Sequence, residues 1–337
     1  MNREERVCAV LEGKEPDRIP VSVWMHQSDV DQDPRSLAER LSEFNEKYDY
    51  DFIKMMPFGA YTVPDWGAKL SIYCDRFKEV EIAAPGVGEA DDYLRIEPLP
   101  AVYGTWGKTL QLTQHLSRLV APHTPYMQTL FTPATTLKKL VGTERLAKDM
   151  REHPEYVHQA LAAITETTIN FVKANIEAGV SGFFLATQCA TYDFLDDTLF
   201  AEFCKPYDIQ VINSYRDVTW FNVLHIHGGN IMFNATKDYP CNVINWHDRY
   251  TSPSLKEARA MTNKVFLGGL REVPTIVGST LHYDSILATD SPDQIRTHVQ
   301  EAIDMVGGHG LLIGPGCVAD PHAPEENLHA VRKAVER

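Results

Sequence analysis

Residues 180–187, VSGFFLAT, form a mostly apolar run between two stretches with helical periodicity. The preceding stretch covers 154–178 and opens with His153-Pro154-Glu155, and the following stretch covers 197–215. A short apolar run between helical patterns is typical of a strand that is buried on both faces, as strands of parallel sheets are. This segment therefore predicts an α/β architecture in which strands and helices alternate along the chain.

The alternation extends in both directions from this segment. Seven further runs have the length and composition of strands: 19–24 (IPVSVW), 51–55 (DFIKM), 127–131 (MQTLF), 220–225 (WFNVLH), 241–246 (CNVINW), 265–270 (VFLGGL) and 310–314 (GLLIG). With the first segment they make eight, the number of strands that closes a barrel of this kind. No glycine-rich phosphate-binding motif follows the first run, which argues against an open doubly wound sheet. We therefore predict a (β/α)8 TIM-type barrel that forms one domain over residues 1–337.

The region 57–124 does not follow this alternation. It contains many turn residues, among them Pro57, Gly59, Pro64 and Gly67, and only short alternating segments. Turn residues at close intervals interrupt regular structure. We predict that this region is an irregular insertion that contains a β-hairpin and packs over the barrel mouth.

Composition excludes several classes of partner. The 337 residues include 46 acidic and 32 basic residues, which gives a net charge of −14, and no run of basic residues stands out. Nucleic acids and anionic membranes are therefore not expected as partners. The six cysteines have no paired spacing, and no apolar run is long enough for a transmembrane helix. We expect a cytoplasmic protein, and a homodimer is compatible with these data.

The clearest candidate for chemistry is the His225-Ile226-His227 segment, at the end of a predicted strand. Residues i and i+2 of a strand point to the same side, so both imidazoles should converge. Cys317 follows the last predicted strand, in a glycine-rich turn at the same end of the barrel. Two imidazoles and a thiolate suit Zn²⁺ and leave one position for a substrate. The residues alone also allow a second interpretation, with one buried and one solvated histidine and a cysteine that is merely small.

Other polar and aromatic side chains fall at predicted strand ends, where barrel enzymes carry their active sites, or in the insertion. We predict catalytic roles for His26, Lys54 and Gln188, and substrate-binding roles for Trp24, Asp65, Trp246 and His247. Each has a structural alternative. His26 could be a hydrogen-bonded structural histidine, Lys54 could bind an anionic group or pair with Asp51, and a tryptophan at a strand end is more often part of the core.

Three segments resemble the uroporphyrinogen decarboxylase superfamily, in its corrinoid-dependent methyltransferase branch. They are 4–21 (EERVCAVLEGKEPDRIPV), 223–228 (VLHIHG) and 314–328 (GPGCVADPHAPEENL). The resemblance covers nearly the whole chain and implies a barrel fold, with a zinc ion held by a His-x-Cys pair and a later cysteine. This chain departs from the pattern at His227, where the family usually has cysteine. A neutral imidazole in that place leaves the metal a stronger Lewis acid, which fits an ether or amine substrate.

The resemblance implies a zinc-dependent methyltransferase. It would move a methyl group between a small methylated substrate, of methoxy or methylamine type, and the corrinoid (cobalamin) of a separate protein. One alternative is a uroporphyrinogen-type decarboxylase, but its arginine-rich motif and its aspartate are absent from the corresponding segments 23–27 (VWMHQ) and 54–59 (KMMPFG). A second alternative is a catalytically inactive protein that binds a corrinoid or a small molecule.

Overall fold

The computed structural model describes residues 1–272, 276–277, 280–281 and 285–336. Within these residues the central element is a curled parallel sheet of seven strands, in the order β1-β4-β5-β6-β7-β8-β11. The strands in the described ranges are β1 (Ile53–Lys54), β2 (Lys69–Ser71), β3 (Glu81–Ala84), β4 (Tyr126–Phe131), β5 (Gly182–Thr187), β6 (Val223–Ile226), β7 (Val243–Trp246), β8 (Val265–Leu270), β9 (Ile276–Val277), β10 (Thr280–Leu281) and β11 (Leu311–Pro315).

Helices cover the outside of this sheet. In the same ranges they are α1 (Arg3–Leu11), α2 (Pro34–Tyr48), α3 (Gly104–Leu119), α4 (Pro133–Val141), α5 (Thr143–Glu152), α6 (Pro154–Glu177), α7 (Asp197–Phe203), α8 (Lys205–Asn213), α9 (Phe233–Thr236), α10 (Leu255–Arg259), α11 (Ile286–Thr289), α12 (Pro292–Met305) and α13 (Glu325–Lys333), with 3₁₀ turns at Pro64–Trp66 and Ala90–Arg95. Every residue of β4, β5 and β8 is buried, as strands covered on both faces require. No helix in the described part of the chain has the length and apolarity to cross a membrane.

The predicted alternation of strands and helices is confirmed, except at the first predicted strand, 19–24. There the chain forms a single parallel bridge, between Val21 and Ile313 of β11. Ser22 donates its backbone N–H to Ile313 at 3.0 Å, and Asp51 donates its own to the Val21 carbonyl at 2.8 Å, so the segment lies between β11 and β1. A regular ladder is not formed because Pro20 has no N–H and the Val21 N–H is bound by the Asp51 carboxylate at 2.8 Å.

The Asp51 carboxylate joins three parts of the N-terminal region. It is fully buried, and it accepts hydrogen bonds from Arg6 of α1 at 2.7 Å and from Arg18 at 2.6 Å, in addition to Val21. Burying a carboxylate is favourable only when it is paired and hydrogen-bonded, and here both guanidinium groups supply the pairing. Asp51 is therefore not the partner of Lys54, which was the structural alternative for that lysine.

The region 57–124 contains the predicted hairpin, formed by the antiparallel strands β2 and β3. Its tip reaches the loop after β11, where the ring of Phe77 stacks on His322 at a centroid distance of 4.2 Å. The prediction of an irregular region is wrong for its last part, because α3 is a regular helix that packs against α2 and α6. Its buried residues recur every three or four positions, which is the helical period that the turn signals obscured.

Candidate metal centre

Four side chains converge at the end of the parallel sheet. The donor atoms of His225, His227, His247 and Cys317 all lie within 4.8 Å of one another. His227 Nδ1 lies 3.3 Å from His247 Nε2 and 3.6 Å from Cys317 Sγ. A tetrahedral zinc with bonds of 2.0–2.3 Å holds its ligand atoms about 3.3–3.8 Å apart, so these separations suit such an ion. The structure thus brings the three predicted ligands together and adds His247, which had been predicted to bind substrate.

The pairing of β6 with β7 explains the cluster. His225 on β6 is the register partner of Asn245 on β7. Two residues further on, the same register places His227 beside His247. Because side chains of an extended chain alternate between two faces, Asn245 and the three histidines all point to the same face. Cys317 comes from the loop after β11. Gly316 makes room there, because a Cβ would lie 2.7 Å from the Trp246 carbonyl oxygen and 2.8 Å from a Glu272 carboxylate oxygen.

Hydrogen bonds fix the tautomer of His225. The Asn245 amide nitrogen donates to the carbonyls of Leu267 at 2.7 Å and Pro315 at 3.1 Å, so its Oδ1 must be the atom that faces the ring. That oxygen lies 2.6 Å from His225 Nδ1, which therefore carries the proton. The lone pair is left on Nε2, the atom available to a metal. A hydrogen bond to the ring nitrogen that does not bind the metal is the usual way in which proteins orient metal-binding histidines.

A buried carboxylate orients His247 in the same way. Glu272 accepts a hydrogen bond from His247 Nδ1, and both side chains are about 1% exposed. The pairing turns Nε2 of His247 towards His227, as a metal ligand would be turned.

Burial sets the protonation states of the four donors. It lowers the pKa of His247 to about 4 and lowers the pKa values of His225 and His227 well below the usual range. It also raises the pKa of Cys317 to about 12. Without a metal, the imidazoles are therefore neutral and the thiol is protonated near pH 7.

A cavity of about 250 Å³ opens beside the cluster. Its lining residues are His26, Lys54, Met56, Pro57, Gly59, Glu79, Thr129, Phe131, Lys139, Phe184, Ala186, Gln188, His225, His227, Glu272, Cys317 and Val318. It thus includes the three residues that were predicted to be catalytic. A concave space next to convergent polar groups is the usual form of a small-molecule site.

None of the four residues that were predicted to bind substrate lines this cavity: His247 belongs to the donor cluster, and the other three have structural roles. Trp24 is 3% exposed and donates its indole N–H to the Cys317 carbonyl, so it supports the loop that carries the thiol. Trp246 is fully buried and donates to the Pro253 carbonyl at 2.7 Å. Asp65 accepts hydrogen bonds from the Thr105 backbone and hydroxyl at 2.8 Å, at the start of α3, where a carboxylate stabilises the free N–H groups.

Sequence reasoning missed Asn245, Lys139 and Glu79 as parts of this region, and it placed Glu272 on the rim only as an ion-pair partner of Arg271. Asn245 stands two residues before His247 on β7, so the alternation of a strand could have placed it on the same face. Glu272 follows the end of β8, where a functional residue of a β/α fold is expected. Lys139 and Glu79 carry no comparable signal, because they lie on a helix and on a hairpin.

The family model described as "Uroporphyrinogen decarboxylase (URO-D)" matches residues 2–337. A curated relative, "Methylcobamide:CoM methyltransferase MtaA" from Methanosarcina barkeri, is 24% identical over 247 residues, which is 73% of this chain and 66% of that protein. The chain therefore spans slightly less than two thirds of that relative.

Two solved structures have a similar fold. A methyltransferase from Methanosarcina mazei superposes with a TM-score of 0.80 at 19% identity and covers 100% of this chain and 98% of its own. A B12-independent methionine synthase from Shewanella sp. W3-18-1, in complex with selenomethionine, gives a TM-score of 0.56 at 10% identity, with coverage of 93% and 92%. At these identities the two superpositions establish the fold alone, so any reaction has to be inferred from the residues of the site.

Proposed function

The chain belongs to the uroporphyrinogen decarboxylase family, and from this premise we propose that it is a zinc-dependent methyltransferase. It moves a methyl group between a small methylated substrate, of methoxy or methylamine type, and the corrinoid of a separate protein. The observation that carries the proposal is the convergence of three imidazoles and one thiol beside a cavity. The methyltransferase relatives support it.

The donor set fits zinc in both chemistry and spacing. His225, His227, His247 and Cys317 would hold the ion, which would supply a Lewis acid to polarise the heteroatom that carries the methyl group. The protein's own contribution is orientation, because Asn245 and Glu272 fix two of the imidazoles. With His247 as a fourth donor the protein could supply every ligand that a zinc ion needs, whereas the sequence predicted three protein ligands and one position for a substrate.

Two polar side chains are placed to orient the substrate. The backbone of Gln188 is held by Thr135, which accepts its N–H at 2.8 Å, and by Lys138, which donates to its carbonyl at 2.9 Å. Gln188 lines the cavity, and within the described part of the chain its side-chain amide has no hydrogen-bond partner, so we propose that it binds a substrate. His26 lines the same cavity, and its Nε2 lies 3.3 Å from Glu79 Oε2. A neutral imidazole there can accept the proton that a methylamine substrate, entering as its ammonium ion, must lose before the nitrogen has a free lone pair.

We also propose that the segment 20–24 takes the eighth position of the sheet and closes it into a barrel. Its backbone bonds to β11 and β1 on either side support this. Closure would hold the thiol loop after β11 opposite the histidines at the ends of β6 and β7.

Replacing both Val21 and Ser22 by glycine should weaken the pairing of this segment with β1 and with β11. Faster amide hydrogen exchange in β1 and β11 would detect the change.

Methyl transfer to a reduced corrinoid protein is the direct test of the proposed activity. Zinc-loaded protein is mixed with cob(I)alamin-bearing partner and a methoxy or methylamine compound, and methylation of cobalt is followed by its absorption spectrum. We expect turnover that is lost after chelation and in His225→Ala. Full turnover by the metal-free protein contradicts the proposal, as does metal-independent release of carbon dioxide from a porphyrinogen.

Zinc binding should release one proton per chain near pH 7. The thiol has a pKa of about 12 without metal and must be deprotonated to bind, whereas the imidazoles are already neutral. The zinc affinity should therefore rise about tenfold per pH unit between pH 6 and 9, and fall more steeply near pH 4, where His247 becomes protonated. Calorimetry in buffers of different ionisation enthalpy measures the protons released. A pH-independent affinity would show that Cys317 is not a ligand.

A further inference from the structure

Two hydrogen bonds tie the loop that carries Cys317 to Trp24. Cys317 lies two residues beyond the end of β11, so the ladder of the sheet does not fix its backbone. The Trp24 indole N–H donates to the Cys317 carbonyl, and the Trp24 carbonyl accepts the Ala319 N–H at 2.9 Å. The side chain and the backbone of Trp24 thus hold the loop at Cys317 and again two residues further on.

Trp24 is fixed in turn by its own neighbours. Two residues earlier, Ser22 donates its N–H to the Ile313 carbonyl at 3.0 Å and its hydroxyl to the Phe52 carbonyl at 2.7 Å. The lack of a side chain at Gly314 lets the indole ring approach β11, because a Cβ there would lie 3.0 Å from two carbons of the ring. The Trp24 side chain is therefore locked by packing, and a locked side chain can hold the groups that it bonds in one place.

The same ring supports a second donor through Phe184. Trp24 and Phe184 form an edge-to-face pair with ring centroids 5.7 Å apart, and Phe184 stacks on the His225 ring at 5.2 Å. Aromatic rings attract one another in both arrangements. Asn245 holds one edge of the His225 ring and Phe184 covers one of its faces, so the ring cannot tilt without moving Phe184.

We propose that Trp24 is a positioning residue of the metal centre, which holds the loop of Cys317 by hydrogen bonds and supports the ring of His225 through Phe184. Trp24 does not line the cavity, so these contacts do not serve to bind a substrate directly. A loop places a ligand less precisely than a strand does, so the thiol needs such a support more than the imidazoles do. The inference rests on the metal centre of the proposed function and assigns the placement of two donors to a residue that is not itself a ligand.

Loss of the indole N–H tests this role. The change Trp24→Phe keeps an aromatic ring beside Phe184 and removes the donor to the Cys317 carbonyl. We expect the zinc affinity, measured by competition with a chromogenic chelator, to fall about 10- to 100-fold, the usual loss when a residue that supports a metal ligand is changed. Phe184→Leu keeps the indole N–H and loses both ring contacts, so the affinity should fall about two- to tenfold.

Cobalt(II) in place of zinc shows whether the thiolate has moved. The thiolate-to-cobalt charge-transfer band depends on the overlap between sulfur and metal, so we expect it to weaken in Trp24→Phe. Trp66→Phe is the matched control, because Trp66 also donates its indole N–H to a backbone carbonyl, that of Glu97 at 2.9 Å, but packs on Trp106 outside the cavity. A role in folding alone would lower the melting temperature and leave the zinc affinity and this band unchanged.

A zinc affinity and a cobalt spectrum equal to those of wild type in Trp24→Phe overturn the inference. If that variant does not fold, an unchanged affinity and spectrum in Phe184→Leu overturn it instead. Methyl transfer enters none of these measurements, so failure of the proposed reaction leaves the result standing, whereas a wild type that binds no zinc refutes both.

Discussion

Cys317→Ser should remove the zinc and abolish methyl transfer while the fold remains intact. The side chain supplies the single anionic donor among the four that converge, and a serine hydroxyl is a poor ligand for zinc near pH 7. Mutation of a residue that only hydrogen-bonds to a metal ligand typically lowers the metal affinity about 10- to 100-fold. Loss of a ligand itself should therefore lower the affinity at least about 100-fold. Metal content and turnover of the purified variant measure the effect.

Cys74→Ser is the matched control for this change, since Cys74 is an exposed free cysteine on the hairpin. It should keep one zinc per chain and full turnover. The melting temperature of the metal-free Cys317 variant should match that of metal-free wild type, because the core beneath the cluster is apolar and independent of the metal. A Cys317 variant that retains zinc and turnover would refute the assigned metal centre.

Asp51→Asn should lower the free energy of unfolding by about 3–5 kcal/mol, the range for breaking a buried ion pair. The side chains of Arg6 and Arg18 are only about 9% and 10% exposed, so both guanidinium groups would lose a buried counter-charge. The amide would also present N–H groups to a site that is crowded with donors, among them the Val21 N–H. Urea unfolding followed by circular dichroism measures the change.

Asp49→Asn provides the comparison, because this neighbouring aspartate also pairs with two arginines but 58% of its side chain is exposed. Exposed ion pairs contribute about 0–1 kcal/mol, so this variant should unfold close to wild type. Similar losses in the two variants would mean that burial does not set the strength of the Asp51 contacts.

The sequence predicted which donor side chains converge better than it predicted which residues line the cavity. His225 lies on β6 and His227 follows the last residue of that strand, so their convergence follows from the period of two that the extended chain keeps there. Trp246 and Asp65 were placed in the pocket by position alone, and the structure buries the first and uses the second at the start of α3. The position of a residue along a strand predicts the end of the sheet at which it lies. It does not predict whether the side chain points into the cavity or packs against the surrounding helices.

The sequence by itself determined the order of strands and helices, the strand end at which two imidazoles lie, and the loop that carries the thiol. These features follow from periodicity and turn residues, which act over a few neighbouring positions. The tertiary structure decided that His247 joins the donors, that Asp51 pairs with Arg6 and Arg18, and that Lys54 and Lys139 line the same cavity. Each of these depends on the register between strands or on contacts between distant segments, and such non-local pairings leave no periodic signal in the chain.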